Sequence, residues 1–234
     1  MAFIKCLQKM SFFEGLEEER SLFFSKAIRH ELKKGSSLFS RNEQVTNCYY
    51  LEKSLVKIYD VTESGKEPIF FLRRTGEMFG LAEIFSGDKR MINAQVLVPS
   101  VVYSMDKENF KEFIQQNFSI AERVINVLGN RLRFLGEHIS GLTTMTVRER
   151  LLRLLLYLLY DNFPRNEEEW DTQLSIHLPV SQEQMAAMIG STQPTVSSTL
   201  QQIQIEGIFT IVRGNIEFSS LKDFVDKVEN SNIS

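Results

Sequence analysis

The 234-residue chain is poor in metal-binding and redox side chains, with two cysteines, Cys6 and Cys48, and three histidines, His30, His138 and His177. The cysteines form no CxxC spacing, which excludes a zinc ribbon. An iron–sulfur cluster needs about four thiolates and is excluded with it. In a reducing compartment each cysteine reads as a small apolar filler. Histidines this sparse do not build the His-and-carboxylate cluster of a cupin-type metalloenzyme, because the β-prone region holds only His30. His138, on a long helical stretch, is expected to be solvated or at a dimer seam rather than a haem ligand. No nucleophile–base pairing stands out. No catalytic residue and no metal site are assigned, and the chain reads as a non-enzyme. Long apolar runs are also missing. None approaches the ~20 residues of a membrane span, and Phe3–Phe13 lacks the apolar stretch of a signal peptide. A cytoplasmic globular protein is expected. Its length suits two small domains, and its 43% hydrophobic and 24% charged composition is ordinary for that class.

Against these absences stands one structured stretch, SQEQMAAMIGSTQPTVSSTLQQIQIEG, from Ser181 to Gly207. Ser181 with Gln184 fits a capping box. Met185, Met188 and Ile189 give the first helix an i, i+3, i+4 stripe, and Gly190 supplies a turn. Ser191 or Thr192 can cap a second helix with Pro194 in its first turn. Val196, Leu200 and Ile203 form its inner face, while Gln193, Ser197, Ser198 and Gln201 point outward. Two helices so joined make a helix-turn-helix whose second helix is a candidate for the DNA major groove. Phe209–Val212 and Ile216–Phe218 flank Arg213-Gly214-Asn215 as a hairpin wing. Leu221–Val228 reads as a closing helix.

Charge runs against that reading. Residues 145–234 carry seven Lys+Arg against twelve Asp+Glu, and Thr192–Ile205 has no basic residue. Phosphate contacts would have to come from Arg213, the helix N-termini at Ser181 and Ser191, and hydroxyls. Arg148 and Arg150 are expected to pair with Glu149 or with the β-rich region.

Upstream, residues 1–27 read as an amphipathic helix with Phe12, Leu16, Leu22 and Phe23 inward. Ser37–Phe39, Cys48–Leu51, Leu55–Val61, Pro68–Leu72, Ile92–Val98 and Val101–Met105 are short β-prone runs, with a hairpin turn at Glu63–Lys66. They predict an antiparallel jelly-roll barrel. Asp106 can cap a short helix through Phe113, and Ser119 a long one to about Leu142. Ile120, Val124, Val127, Leu128, Leu132, Leu135, Ile139 and Leu142 recur there near a 3.5-residue period. A helix of about 24 residues spans ~36 Å, longer than a small barrel can cover. A parallel coiled-coil homodimer is expected through Val124, Leu128, Leu132, Leu135, Ile139 and Leu142. Thr143–Thr146 reads as the hinge, and Val147–Tyr160 as a buried helix beneath the helix-turn-helix. The fold class is thus α+β. It comprises a β-barrel with flanking helices (1–117), a dimerisation helix and hinge (118–144) and a winged-helix DNA-binding domain (145–234).

In this order of parts the sequence resembles the Crp/Fnr family of bacterial transcription regulators. The resemblance rests on CYYLEKSLVKIYDVTESGKE, TGEMFG, NRLRFLGEHISGLTTMTVRERLLRLLLYL and MAAMIGSTQPTVSSTLQQIQIEG. It implies a homodimer on a roughly palindromic double-stranded DNA site, an effector held and sensed in the barrel (1–117), and RNA polymerase as partner. The cyclic-nucleotide members carry a Gly-Glu pair for ribose, an Arg-Ser pair for phosphate and a Thr-Ser pair for purine. Those pairs fall here on Gly80-Leu81, Ile92-Asn93 and Leu135-Gly136. All three polar contacts are missing, although Lys89 and Arg90 lie nearby, so cyclic AMP is not expected. The effector positions then belong to an unnamed small organic acid or aromatic compound in an apolar pocket, with no cofactor. The family's reading-head arginines are replaced by Gln193 and Ser198. Gln193 pairs with adenine, and the Thr192 or Thr195 methyl suits thymine, so an A·T-rich half-site is expected. The competing reading is a ligand-binding protein whose degenerate winged helix mediates protein contacts.

Overall fold

The computed structural model describes residues 11–230 except 88, 165 and 172. Cys6 and the first part of the helix expected over 1–27 lie outside the described residues. The rest divides into two units, 11–134 and 135–230. The division falls inside the long helix, whereas the expected boundaries at 117/118 and 144/145 mark that helix's two ends.

In the first unit, helix α1 is shorter than expected, Glu17–Lys26. A tight turn with Gly15 at φ +71° precedes it. Three glutamates in its first turn and Lys26 in its last suit the helix dipole. Eight strands follow: β1 Ile28–Leu32, β2 Ser37–Phe39, β3 Asn47–Lys53, β4 Leu55–Tyr59, β5 Ile69–Arg74, β6 Met78–Phe79, β7 Asn93–Val96 and β8 Ser100–Asp106. They pair antiparallel in two four-stranded sheets, β1-β8-β3-β6 and β2-β7-β4-β5. The β4–β5 hairpin closes where Thr62 N–H donates to Lys66 O at 2.9 Å.

Strand β3 shows how the layers are built. Tyr49 and Leu51 point between the sheets, with Phe39, Val56, Ile58, Phe79, Ala94, Val96 and Val102. Cys48 and Tyr50, on the opposite face by the two-residue period, enter a second core with Phe13, Phe23, Phe110 and Phe113. A run of consecutive apolar residues is therefore buried on both sides. Cys48 is fully enclosed, its Sγ is 3.6 Å from Met105 O, and burial pushes its thiol far up.

Helix α2, Lys107–Gln116, starts at Asp106, whose carboxylate accepts from the N–H groups of Glu108 and Asn109. Helix α3 runs Phe118–Thr144. Ser119 is not its cap. It sits inside the first turn and donates its hydroxyl to the Glu19 carboxylate, while Asn117 O accepts from Ile120 N–H. Arg123 donates to Ser11 O at 3.2 Å and Glu14 O at 2.8 Å. Ile120 and Val124 are buried in the helix-side core.

In the second unit, α4, Val147–Leu159, opens on a capping box of Thr146 and Glu149. Its leucines from Leu151 to Leu159 are buried. Then come β9 Leu174–His177, α5 Gln182–Ile189, α6 Gln193–Ile205, β10 Thr210–Val212, β11 Asn215–Phe218 and α7 Leu221–Asn230. The three strands form one antiparallel sheet, β10-β11-β9. Helix α4 packs on α5, α6 and α7, giving this unit its own core. No helix among the described residues is long and apolar enough to cross a membrane.

Candidate nucleic-acid interface and effector site

Helix α5 begins where Ser181 Oγ accepts from Gln184 N–H and the Gln184 side chain takes the Ser181 N–H. It ends at Gly190, whose left-handed φ of +62° a β-carbon would strain. Of the two proposed caps for α6, Thr192 serves: its hydroxyl accepts from Thr195 N–H and meets the Thr195 hydroxyl at 2.8 Å. Pro194 lies in the first turn, where its missing N–H costs nothing. Val196, Leu200 and Ile203 are buried with Met185, Met188 and Ile189.

What remains on the outside of α6 is neutral. Gln193, Thr195, Ser198 and Gln201 are exposed, and Ser191 and Ser197 are half-buried. Ser198 and Thr199 both donate to Thr195 O, so these hydroxyls are directed to the helix backbone. The α6 C-terminus is closed by Gly207 N–H on Gln204 O and Ile208 N–H on Ile203 O.

The wing turns on two residues, Arg213 at φ +51° and Gly214 at φ +82°, while Asn215 already pairs with Val212. Two successive positive φ values match the twist of a two-residue hairpin. Arg213 is exposed at its tip. Strand β9 braces the wing through β11 and went unseen in the sequence, since LSIH offers only one fully buried residue, Ile176.

Arg148, expected to pair with Glu149 or with the β-rich region, makes an ion pair with Glu206 at the end of α6. Glu149 instead bonds the Thr146 N–H and hydroxyl, which hold its carboxyl below the usual range. Arg150 Nη1 stands 3.7 Å from where a β-carbon on Gly190 would lie. His138 is half-buried, and burial together with the Arg150 charge lowers its pKa.

Within the first unit the expected effector residues enter different cores. Leu81, 3% exposed, packs into the helix-side core, whereas Ile92 packs against the core between the sheets. Asn93 spends its amide on structure, accepting from Arg41 N–H at 3.0 Å and donating to Tyr59 O. Gly80 needs its φ of +75°, and a β-carbon there would stand 3.3 Å from Arg90 Nη1. Leu135 is half-buried and Gly136 exposed, in the other unit.

Arg90, which lies near Ile92 and Asn93 in the chain, is 2% exposed and held by the protein itself. It donates to Gly80 O at 2.9 Å, to Asn47 O and to Glu83 at 3.2 Å, with its guanidinium 4.2 Å over the Phe39 ring. Lys89 is exposed and pairs through its backbone with Gln44. A second cluster joins Arg73 and Arg131 to the Glu77 carboxylate at 3.4 and 3.7 Å. Its signal in the sequence is slight, because Glu77 and Arg131 lie far apart in the chain.

On α3 two stripes separate. Val124, expected at a dimer seam, is 6% exposed and belongs to the core of its own unit. The exposed stripe is Ile125, Leu128, Leu132, Ile139 and Leu142, with Leu135 half-buried among them. Ile125 replaces Val124 because its steps of 3, 4, 3, 4 and 3 to Leu142 keep strict heptad spacing.

The comparisons follow the same division. The model of the cyclic nucleotide-binding domain family matches residues 29–117, and that of the Crp-like helix-turn-helix domain matches residues 149–223. A CRP-like cAMP-activated global transcriptional regulator of Mycobacterium tuberculosis is 24% identical over 206 residues, covering 86% of this chain and 88% of the relative. A global nitrogen regulator of Synechococcus elongatus is 25% identical over 189 residues, 80% of this chain and 83% of the relative. The solved structure of FixK2 from Bradyrhizobium japonicum shares the fold with a TM-score of 0.74 at 19% identity, covering 86% of this chain and 96% of that one. Matched in both halves and in this order, the chain belongs to the Crp/Fnr family of transcription regulators, with a Crp-like helix-turn-helix as its DNA-binding domain.

Proposed function

We propose that the protein is an effector-responsive homodimer, working in the cytoplasm, that reads a palindromic, A·T-rich DNA site and acts on RNA polymerase. The carrying observation is the exposed heptad stripe from Ile125 to Leu142. Five exposed apolar positions, with half-buried Leu135 among them, are costly for a monomer. Two copies clasped along them place two α6 helices for two half-sites, as palindromic recognition requires.

Base reading falls to Gln193, which offers a bidentate amide to the N6/N7 edge of adenine, with the Thr195 methyl for thymine. Ser181, Ser191, Thr192, Ser197, Ser198, Gln201 and Arg213 supply phosphate and edge contacts. With so few cations, binding is only shallowly salt-dependent.

The effector is a small organic compound rather than a cyclic nucleotide. Burial of Leu81 and the prior engagement of Asn93 and Arg90 support this, since none presents a free polar group to a phosphate. Selection of bound duplexes from a random pool tests the DNA reading: enrichment of inverted A·T-rich half-sites is expected, and G·C-rich sites refute it. Calorimetry with cyclic AMP is expected to show no binding.

The second reading, a winged helix adapted to protein contact, draws support from Ile205, 87% exposed at the end of α6. Failure of any duplex to bind, with or without added ligands, would favour it.

A further inference from the structure

We propose that the Arg148–Glu206 ion pair withholds a cation from DNA phosphate, so that Glu206 weakens binding to bulk DNA and sharpens the choice of site; this rests on the DNA-binding reading above.

Each charge stands at the wrong end of its own helix. Arg148 is the second residue of α4, at the positive end of that helix dipole, and Glu206 caps α6 at its negative end. The contact resolves both, bringing the guanidinium to the α6 C-terminus and the carboxylate to the α4 N-terminus.

Glu206 also continues an exposed stripe of α6. Thr195, Ser198 and Gln202 precede it at i−11, i−8 and i−4, and all three are exposed. A duplex read by Thr195 and Ser198 therefore passes along the face on which this carboxylate closes the helix. Phosphate and carboxylate compete for the same guanidinium fork. The Glu206 carboxylate already occupies that fork, so the guanidinium is kept from the phosphate, and the carboxylate itself lies beside the duplex and repels it. With seven cations in the whole 145–234 segment, one withheld cation is a large share of the electrostatic grip.

The test uses the full chain without added ligand and a fluorescein-labelled random-sequence duplex of about 40 bp. Fluorescence anisotropy is followed from about 50 to about 200 mM KCl. Glu206→Gln is expected to tighten binding about threefold or more at low salt. It should also steepen the slope of log affinity against log salt by about 0.9, the increment for one added phosphate contact. Arg148→Gln alone is expected to leave the slope at the wild-type value, and Arg148→Gln with Glu206→Gln to cancel the steepening. A gain in slope that survives in the double variant, or a slope lost in Arg148→Gln alone, overturns the inference. So does an unchanged slope in Glu206→Gln, in which case the DNA reading stands. If the wild type shows no salt-dependent binding, both fall. Circular dichroism and the thermal midpoint of each variant confirm that the fold is kept.

Discussion

Leu142, the last apolar residue of the exposed α3 stripe, sets its Cδ2 3.1 Å from the point that a β-carbon on Gly190 would occupy. Two constraints thus meet at one glycine, a left-handed φ of +62° and the approach of a helix from outside the motif. Gly190→Ala is expected to lower stability by about 1–2 kcal/mol through the backbone alone, and further through overlap with Leu142. Adding Leu142→Ala should recover only the overlap part. Urea titration of the wild type, both single variants and the double variant measures the coupling. Full additivity would show that the contact carries no energy.

The two stripes of α3 predict opposite behaviour for two residues of the same helix. Leu132, 72% exposed, lies in the heptad series, and Leu132→Glu is expected to give monomers of near-wild-type stability per chain. Val124 lies in the core, and Val124→Ala is expected to cost about 2 kcal/mol while leaving association intact. Sedimentation equilibrium and denaturation together separate the two. A monomeric wild type at micromolar concentration would remove the basis of the proposed dimer.

These paired residues also show what the sequence made legible. Period gave the long helix, but Val124 and Ile125 both fit an apolar stripe near 3.5 residues. Only burial assigned the first to the core and the second to the exposed series. Local chemistry read well where the partner lies within a few residues, as in the capping box of Ser181 and Gln184, the Asp106 cap and the Gly190 turn. It failed where the partner is remote. Ser119 resembled a cap until Glu19 took its hydroxyl, and Arg148 sat beside Glu149 yet pairs with Glu206. Short strands were lost for a different reason. Met78–Phe79 and Leu174–His177 are too short to show alternation, and the edge strand Ile28–Leu32 carries Arg29, His30 and Glu31, which mask it.

Arg90 tests the reading of the barrel. Its guanidinium is buried against Phe39, two carbonyls and Glu83. Removing one member of such a set leaves a poorly solvated carboxylate, so Arg90→Met is expected to cost about 3–5 kcal/mol in chemical denaturation. Arg90→Lys should not restore it, because an ammonium cannot stack on the ring while forking between carbonyls and a carboxylate. Near-wild-type stability for Arg90→Met would mean that the site is free for a ligand after all.

Asp106 gives the chain a measurable acid limb. Hydrogen bonds from Asn109, and then from Glu108, hold its carboxyl below the usual range. A depressed folded-state pKa means that the unfolded chain takes up the proton first. The cap's contribution is therefore complete above the ordinary carboxylate range and is lost as pH falls through the folded value. Asp106→Ala is expected to cost about 1 kcal/mol at neutral pH, the usual worth of an N-cap. Asp106→Asn keeps the capping oxygen but cannot titrate. It should match the wild type near pH 7 and lose less stability between about pH 4 and pH 2. Thermal midpoints of the three proteins across that range measure the difference. Parallel acid limbs for the wild type and Asp106→Asn would show that other carboxylates govern the loss.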